Sequence, residues 1–204
     1  MAYGLLIKGG TVIDPSQELN AVRDVAISGH RIAAVDTDIP ESQATEVVDA
    51  IDLIVVPGLL DLHVHSFVGV SHLGVEPDIA QISKGVTTAL DAGSAGANTF
   101  SAFRKHVLER CDTRLFALLN ISSMGMLSND IGELEDIRWA DVKAAIRVGL
   151  ENRDHVLGIK VRLSKDITGD HDIDSLKKSL AACGSDFLNL AYSFASFFSC
   201  IFIS

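Results

Sequence analysis

"GLLDLHVHS", Gly58 to Ser66, places two histidines one residue apart at the end of an apolar run. Read as a β-strand, the segment sends alternate side chains to opposite faces. Asp61, His63 and His65 then share one face, and Leu60, Leu62 and Val64 the other. Three polar side chains on one face of an otherwise apolar strand call for a chemical reason. The leucines and Val64 read as buried, which sets the pair apart from two histidines on a solvated strand.

Outward from this strand the chain changes character. Upstream, "YGLLIKGGTVID" (Tyr3 to Asp14) reads as two apolar runs about a Gly-Gly turn, and "DVAISGHRIAAV" (Asp24 to Val35) repeats the plan with Ser-Gly at its turn. Two such hairpins predict a small antiparallel sheet. Downstream, strand-like and helix-like stretches alternate. "VTTALDAG" (Val86 to Gly93), "RLFALLNIS" (Arg114 to Ser122) and "VLGIKVRLS" (Val156 to Ser164) read as strands. "PDIAQISKG", "NTFSAFRKHVLERC", "WADVKAAIRVGLEN" and "DIDSLKKSLAACG" carry helical spacing, with Pro77 early in the first and Asp172 or Asp174 as cap of the last. Strand–helix repetition predicts a parallel sheet with right-handed crossovers. A doubly wound sheet and a (β/α)₈ barrel both satisfy it.

Composition narrows the partners. Against 17 Lys and Arg stand 27 Asp and Glu, a formal charge of −10 with no basic run, which excludes phosphate-backbone recognition and so nucleic acid. Three distant cysteines, Cys111, Cys183 and Cys200, suit free thiols in a reducing compartment better than a disulfide framework. The N-terminus lacks the charged and apolar regions of a signal peptide. A cytoplasmic location is expected.

Neutral imidazole is a common zinc ligand, and two on one strand face can reach the same ion or adjacent ions. On a barrel strand they would lie near its C-terminal end, where barrel active sites form. Lys160, inside the apolar strand "VLGIKVRLS", is the second unusual residue. A buried lysine is costly unless paired or chemically changed. Either its amine is nucleophilic and able to take up CO₂ as a carbamate, or it snorkels from a strand end. Asp91 and Asn120 end the next two strands and face the same rim. Each is a candidate substrate contact, or a residue that caps a loop. His30, His72, His106, His155 and His171 fall on turns or helices and read as surface residues.

"VVPGLLDLHVH" (Val55 to His65) followed by "GVTTALDAGSAGANTF" (Gly85 to Phe100) resembles the amidohydrolase superfamily, in its dihydroorotase-like amidohydrolase/deacetylase branch. "HVHSFVG", "GVEPD", "FALLNISSMG" and "GIKVRLS" follow in the order the family has them. The resemblance runs from about Leu5 to Ser175 and implies a (β/α)₈ TIM-type barrel with a small N-terminal β-sandwich domain. It implies that His63 and His65 bind a divalent metal, zinc as a rule and two per complete site. Lys160 would be the carboxylated lysine that bridges them. It further implies hydrolysis of a C–N bond in a small N-acyl (deacetylase-like) or cyclic amide substrate by a metal-activated water.

The family also places a histidine on strand five, another on strand six and a catalytic aspartate on strand eight; no counterparts occur here. A barrel takes about 250 residues, and 146 follow Gly58. The expected architecture is therefore partial: residues 1–57 as the β-sandwich segment, 58–184 as about four strand–helix units of the barrel, and 185–204 as an atypical tail. "FLNLAYSFASFFSCIFIS" (Phe187 to Ser204) is uncharged and holds five of the nine phenylalanines. It reads as non-native sequence ending a truncated product, in preference to a membrane anchor or a buried strand pair. Its serines, asparagine and lack of flanking charge argue against the anchor. Self-association through such a segment is expected. The alternative to an active hydrolase is a catalytically inactive truncated remnant.

Overall fold

The structure, a computed structural model, describes residues 2–184, 189–193 and 201–203, the last two stretches as backbone. Internal packing divides the chain into two units, Met1–Gly58 and Leu59–Ser204.

The first unit is one mixed sheet. Strands β1 (Tyr3–Asp14), β2 (Leu19–Ser28), β3 (Arg31–Asp36) and β4 (Ala44–Asp49) lie in the order β3-β2-β1-β4, and the short β5 (Ile54–Val55) also pairs with β1. β2 runs antiparallel to β1 and β3, whereas β4 and β5 run parallel to β1. The expected turn at Gly9-Gly10 is instead a bulge inside one long strand. The register shifts between Ile7 and Gly10, and Gly9 adopts φ +74°, open to glycine at little cost. A Cβ on Gly10 would lie 2.5 Å from Val55 Cγ2. The glycines therefore let β1 bend while β5 approaches closely. The second expected hairpin is present, with Gly29 at φ +60° between β2 and β3.

The second unit carries β6 (Leu59–Val64), β7 (Val86–Gly96), β8 (Arg114–Asn120), β9 (Val156–Arg162), β10 (Asn189–Ser193) and β11 (Ile201–Ile203). They lie in the order β11-β10-β9-β8-β7-β6. From β6 to β10 every neighbour is parallel, and β11 returns antiparallel. A doubly wound sheet reverses its strand order; these strands follow sequence order without reversal, as in a segment of a (β/α)₈ barrel. Helices α1 (Pro77–Ala80), α2 (Phe100–Phe103), α3 (Val142–Glu151), α4 (Lys165–Thr168) and α5 (Asp172–Cys183) fill the crossovers, α2 continuing into a π-helical turn at Arg104–Leu108.

α3 buries Ala144, Ala145, Val148 and Gly149, and its cap is Asp141, which accepts the Ala144 N–H at 3.0 Å. The cap expected for α5 is corrected: His171 precedes the helix and makes no side-chain cap, while Asp172 and Asp174 lie in its first turn, where they complement the helix dipole. The main core joins Val64, Ala89, Leu115, Ala117, Leu119, Ile159 and Val161 to Phe100 and Phe103.

A second correction concerns β6. Val64 is buried, but Leu59, Leu60 and Leu62 are 49%, 66% and 55% exposed. β6 is the edge strand of its sheet, so alternation alone overstated its burial. The tail, assigned from sequence to residues 185–204, lies largely outside the described residues. Its described backbone pairs with the sheet, Ala191 standing beside Lys160 in register. No helix among the described residues is long and apolar enough to cross a membrane.

Gly10→Val should destabilise the first unit by about 1–3 kcal/mol, the cost of forcing added volume into a packed site. Urea denaturation measures it, and a neutral result would refute the close approach of β5.

Candidate functional site

Alternation along the strands assembles the site. Val64, Ile159 and Val161 pack into the core, so His63, His65, Lys160 and Arg162 project from the opposite face. Asn120 stands beside Lys160 in the β8–β9 register. The His63 and His65 rings lie edge to face with centroids 5.4 Å apart.

Both imidazoles are held neutral at physiological pH. Burial depresses the His63 pKa, reinforced by the charge of Lys160 and opposed by Asp61. Burial likewise takes His65 down to about 3, helped by His63, Lys160, Arg162 and His72. A neutral imidazole keeps one ring nitrogen lone pair for a ligand. Lys160 is 1% exposed, so it does not snorkel to solvent. Its stem crosses Gly93: a Cβ there would lie 2.6 Å from Lys160 Cγ and 2.7 Å from Lys160 Cβ.

Asp91 and Asn120 are fully buried. Asp91 Oδ2 accepts the Ser66 N–H at 2.7 Å, and Oδ1 accepts those of Gly93 at 3.1 Å and Ser94 at 2.7 Å. Burial nevertheless pushes its carboxyl up to about 6, against those hydrogen bonds. Asn120 donates to Gly93 O at 3.1 Å and to Glu133 Oε1 at 3.0 Å, while its own oxygen accepts the Ser122 N–H at 2.9 Å. Glu133 in turn receives Arg162 Nε at 2.9 Å and pairs with Arg162 Nη2. Ser94 Oγ lies 3.0 Å from His65 Nδ1.

The structure thus brings His63, His65 and Lys160 into one electrostatic neighbourhood, with Asp91 and Asn120 bound to the protein around them. Sequence reasoning missed Ser94, Glu133 and Arg162. Arg162 was within reach of it, since it stands two residues after Lys160 and shares its strand face by the same period that joins His63 to His65. Ser94 and Glu133 carry no such signal. His72, read as a surface residue, is half-buried. Its Nδ1 is buried with no hydrogen-bond partner among the described residues, and its charge reaches His65.

Two neutral imidazoles beside a buried lysine suit a divalent metal by donor chemistry. Among the described residues, no group of three or more His, Cys, Asp or Glu is placed to hold one.

No protein-family model matches the chain. A deacetylase of Agrobacterium fabrum is 36% identical over 156 residues, covering 76% of this chain and 38% of that protein. The crystal structure of a dihydroorotase superposes with a TM-score of 0.81 at 29% identity, over 92% of this chain and 50% of its own. That of an adenine deaminase gives 0.78 at 30% identity, over 96% and 51%. The chain spans between 38% and 51% of the length of these proteins.

Gly93→Ala should destabilise the second unit by about 1–3 kcal/mol, because φ is +91° there and the new methyl meets the Lys160 stem. Thermal unfolding tests it, and an unchanged midpoint would contradict the close contact. For Asp91, a ¹³C NMR titration should place the carboxyl midpoint near 6 rather than near 3.8. Its folded pKa is the higher, so its contribution to stability is complete below pH 3.8 and is lost as pH rises through about 6.

Proposed function

Since the chain belongs to the amidohydrolase superfamily, alongside deacetylases and dihydroorotases, we propose that it carries the first part of a metal-dependent site for hydrolysing C–N bonds. The substrate class is a small N-acyl compound or cyclic amide. The observation that carries this is the convergence of His63, His65 and Lys160 on one sheet face, with both imidazoles held neutral.

His63 and His65 would hold a divalent ion, zinc by donor type. Such an ion polarises a carbonyl and acidifies water enough for attack near neutral pH. Lys160 joins the set by carboxylation: its neutral amine adds to CO₂, a C–N bond forms and one proton is released, leaving an anionic oxygen donor. Asp91 and Asn120 enter through what they hold. Asp91 fixes the backbone at Ser66, Gly93 and Ser94, and Asn120 ties Gly93 to Glu133. Arg162, neutralised by Glu133, leaves the region less repulsive to a cation. Free thiols at Cys111 and Cys183 suit a reducing cytoplasm.

A second reading, an inactive remnant, draws on the absence of any three-residue His, Cys, Asp or Glu group among the described residues. Titrating the metal-free chain with zinc against a chromophoric chelator separates the two. Wild-type chain should take up zinc. His63→Ala and His65→Ala should each weaken it by more than the ~10–100-fold that loss of an outer-shell partner costs. The zinc-loaded chain should then release acetate from N-acetyl amino acids or open a cyclic amide. Zinc uptake without turnover would favour the remnant, and zinc uptake unchanged in the double variant would refute the site.

A further inference from the structure

Arg162 is the last residue of β9, one step beyond Lys160 on the same strand face. The step is two residues, about 6.6 Å along the strand. Lys160 lies among the groups already described. Its stem fills the space over Gly93, and Ser94, the next residue, places its Oγ 3.0 Å from His65 Nδ1. Arg162 therefore stands at the C-terminal rim of this face, the end at which barrel sites take their substrates. It is also held there. Glu133 receives its Nε at 2.9 Å and pairs with its Nη2. Glu133 is fixed in turn by Asn120 Nδ2 on its Oε1 at 3.0 Å and by the Ser122 hydroxyl on its carbonyl at 2.9 Å. An arginine carries five N–H donors in a planar fork, and Glu133 takes the side of that fork. Nη1 donates to none of the described residues and is not among their buried unpartnered atoms, so this end of the side chain meets solvent.

We propose that Arg162 is a substrate-binding residue whose open edge takes the carboxylate of an N-acyl amino acid. The inference rests on the hydrolase reading of this face and narrows its substrate class. Apolar packing would join β9 to the loop carrying Glu133 at less cost than a largely buried ion pair. A charged pair with one edge left open has a use for that edge. The end of the fork, Nη1 with the second hydrogen of Nη2, presents two parallel N–H groups, the match for a carboxylate. Glu133 holds the fork before anything binds, so little side-chain freedom is lost on contact. With the acyl group at the level of Lys160 and the histidines, a carboxylate a few bonds away reaches the level of Arg162. A neutral cyclic amide leaves the edge empty.

Two probes of one shape separate the carboxylate from the rest of the ligand: N-acetylglycine and its neutral counterpart N-acetylglycinamide. NMR titration of the full chain, with and without zinc, should show N-acetylglycine binding at least about tenfold tighter, the worth of a charge-assisted hydrogen bond. Arg162→Gln should remove that preference. Because this variant leaves Glu133 without its cation and can unfold, the wild type carries a second readout. The Arg162 guanidinium ¹³Cζ and ¹⁵Nη resonances should shift with N-acetylglycine and stay in place with N-acetylglycinamide. Equal affinity for the two probes, no binding of N-acetylglycine, or unmoved Arg162 resonances would each overturn the inference. A chain that takes up no zinc yet shows the preference and the Arg162 shift would remove the metal proposal and leave the role of Arg162 standing. A zinc-loaded chain that releases acetate equally well from both probes would keep the hydrolase and remove that role.

Discussion

One buried carboxylate sets the geometry on which the site depends. Asp91 binds the backbone N–H of Ser66, just past β6, and those of Gly93 and Ser94 within β7. β6 needs such a restraint. It is an edge strand with three exposed leucines, and its ladder to β7 shifts register between Asp61 and Val64. Ladder bonds alone would leave the position of His65 loosely set. Burying a charge disfavours ionisation, which is why the carboxyl rises to about 6; three charge-assisted hydrogen bonds offset much of that cost.

A second polar network holds the other half of the site. Asn120, Glu133 and Arg162 link β8, the loop after it and β9. Arg162 shares its strand face with Lys160, so the Glu133 pair fixes the direction of β9 where the lysine projects. Gly93 connects the two networks. Its N–H goes to Asp91, its carbonyl receives Asn120, and its missing side chain leaves the space that the Lys160 stem occupies. The chemistry-bearing groups are few, and most of the surrounding polar atoms serve to place them.

Much of this was legible in the sequence because it follows from periodicity. The two-residue spacing that joins His63 to His65 places both on one face, and the strand–helix alternation produces the parallel sheet. The motif order distinguishes a barrel from a doubly wound sheet, and the unreversed strand order agrees. What was not legible depended on partners distant in sequence. The Gly9-Gly10 pair looks the same as a turn or as a bulge until β5 lies beside β1. The leucines of β6 look buried until the strand proves to be an edge. Ser94 and Glu133 are ordinary loop and strand residues until Asp91 and Arg162 are brought to them. Asn120 ends β8 as expected, whereas Asp91 stands midway along β7, which runs on to Gly96; the polar atoms of both are directed to protein groups.

The central claim is that His63 and His65, presented by β6 and referenced to Asp91, bind a metal together. Anomalous diffraction at the zinc edge, from crystals of the chain grown with zinc, tests it most directly. The account predicts a peak within about 2.0–2.1 Å of a ring nitrogen of both histidines. A zinc peak at Cys111 or Cys183 with none between the two imidazoles would contradict it.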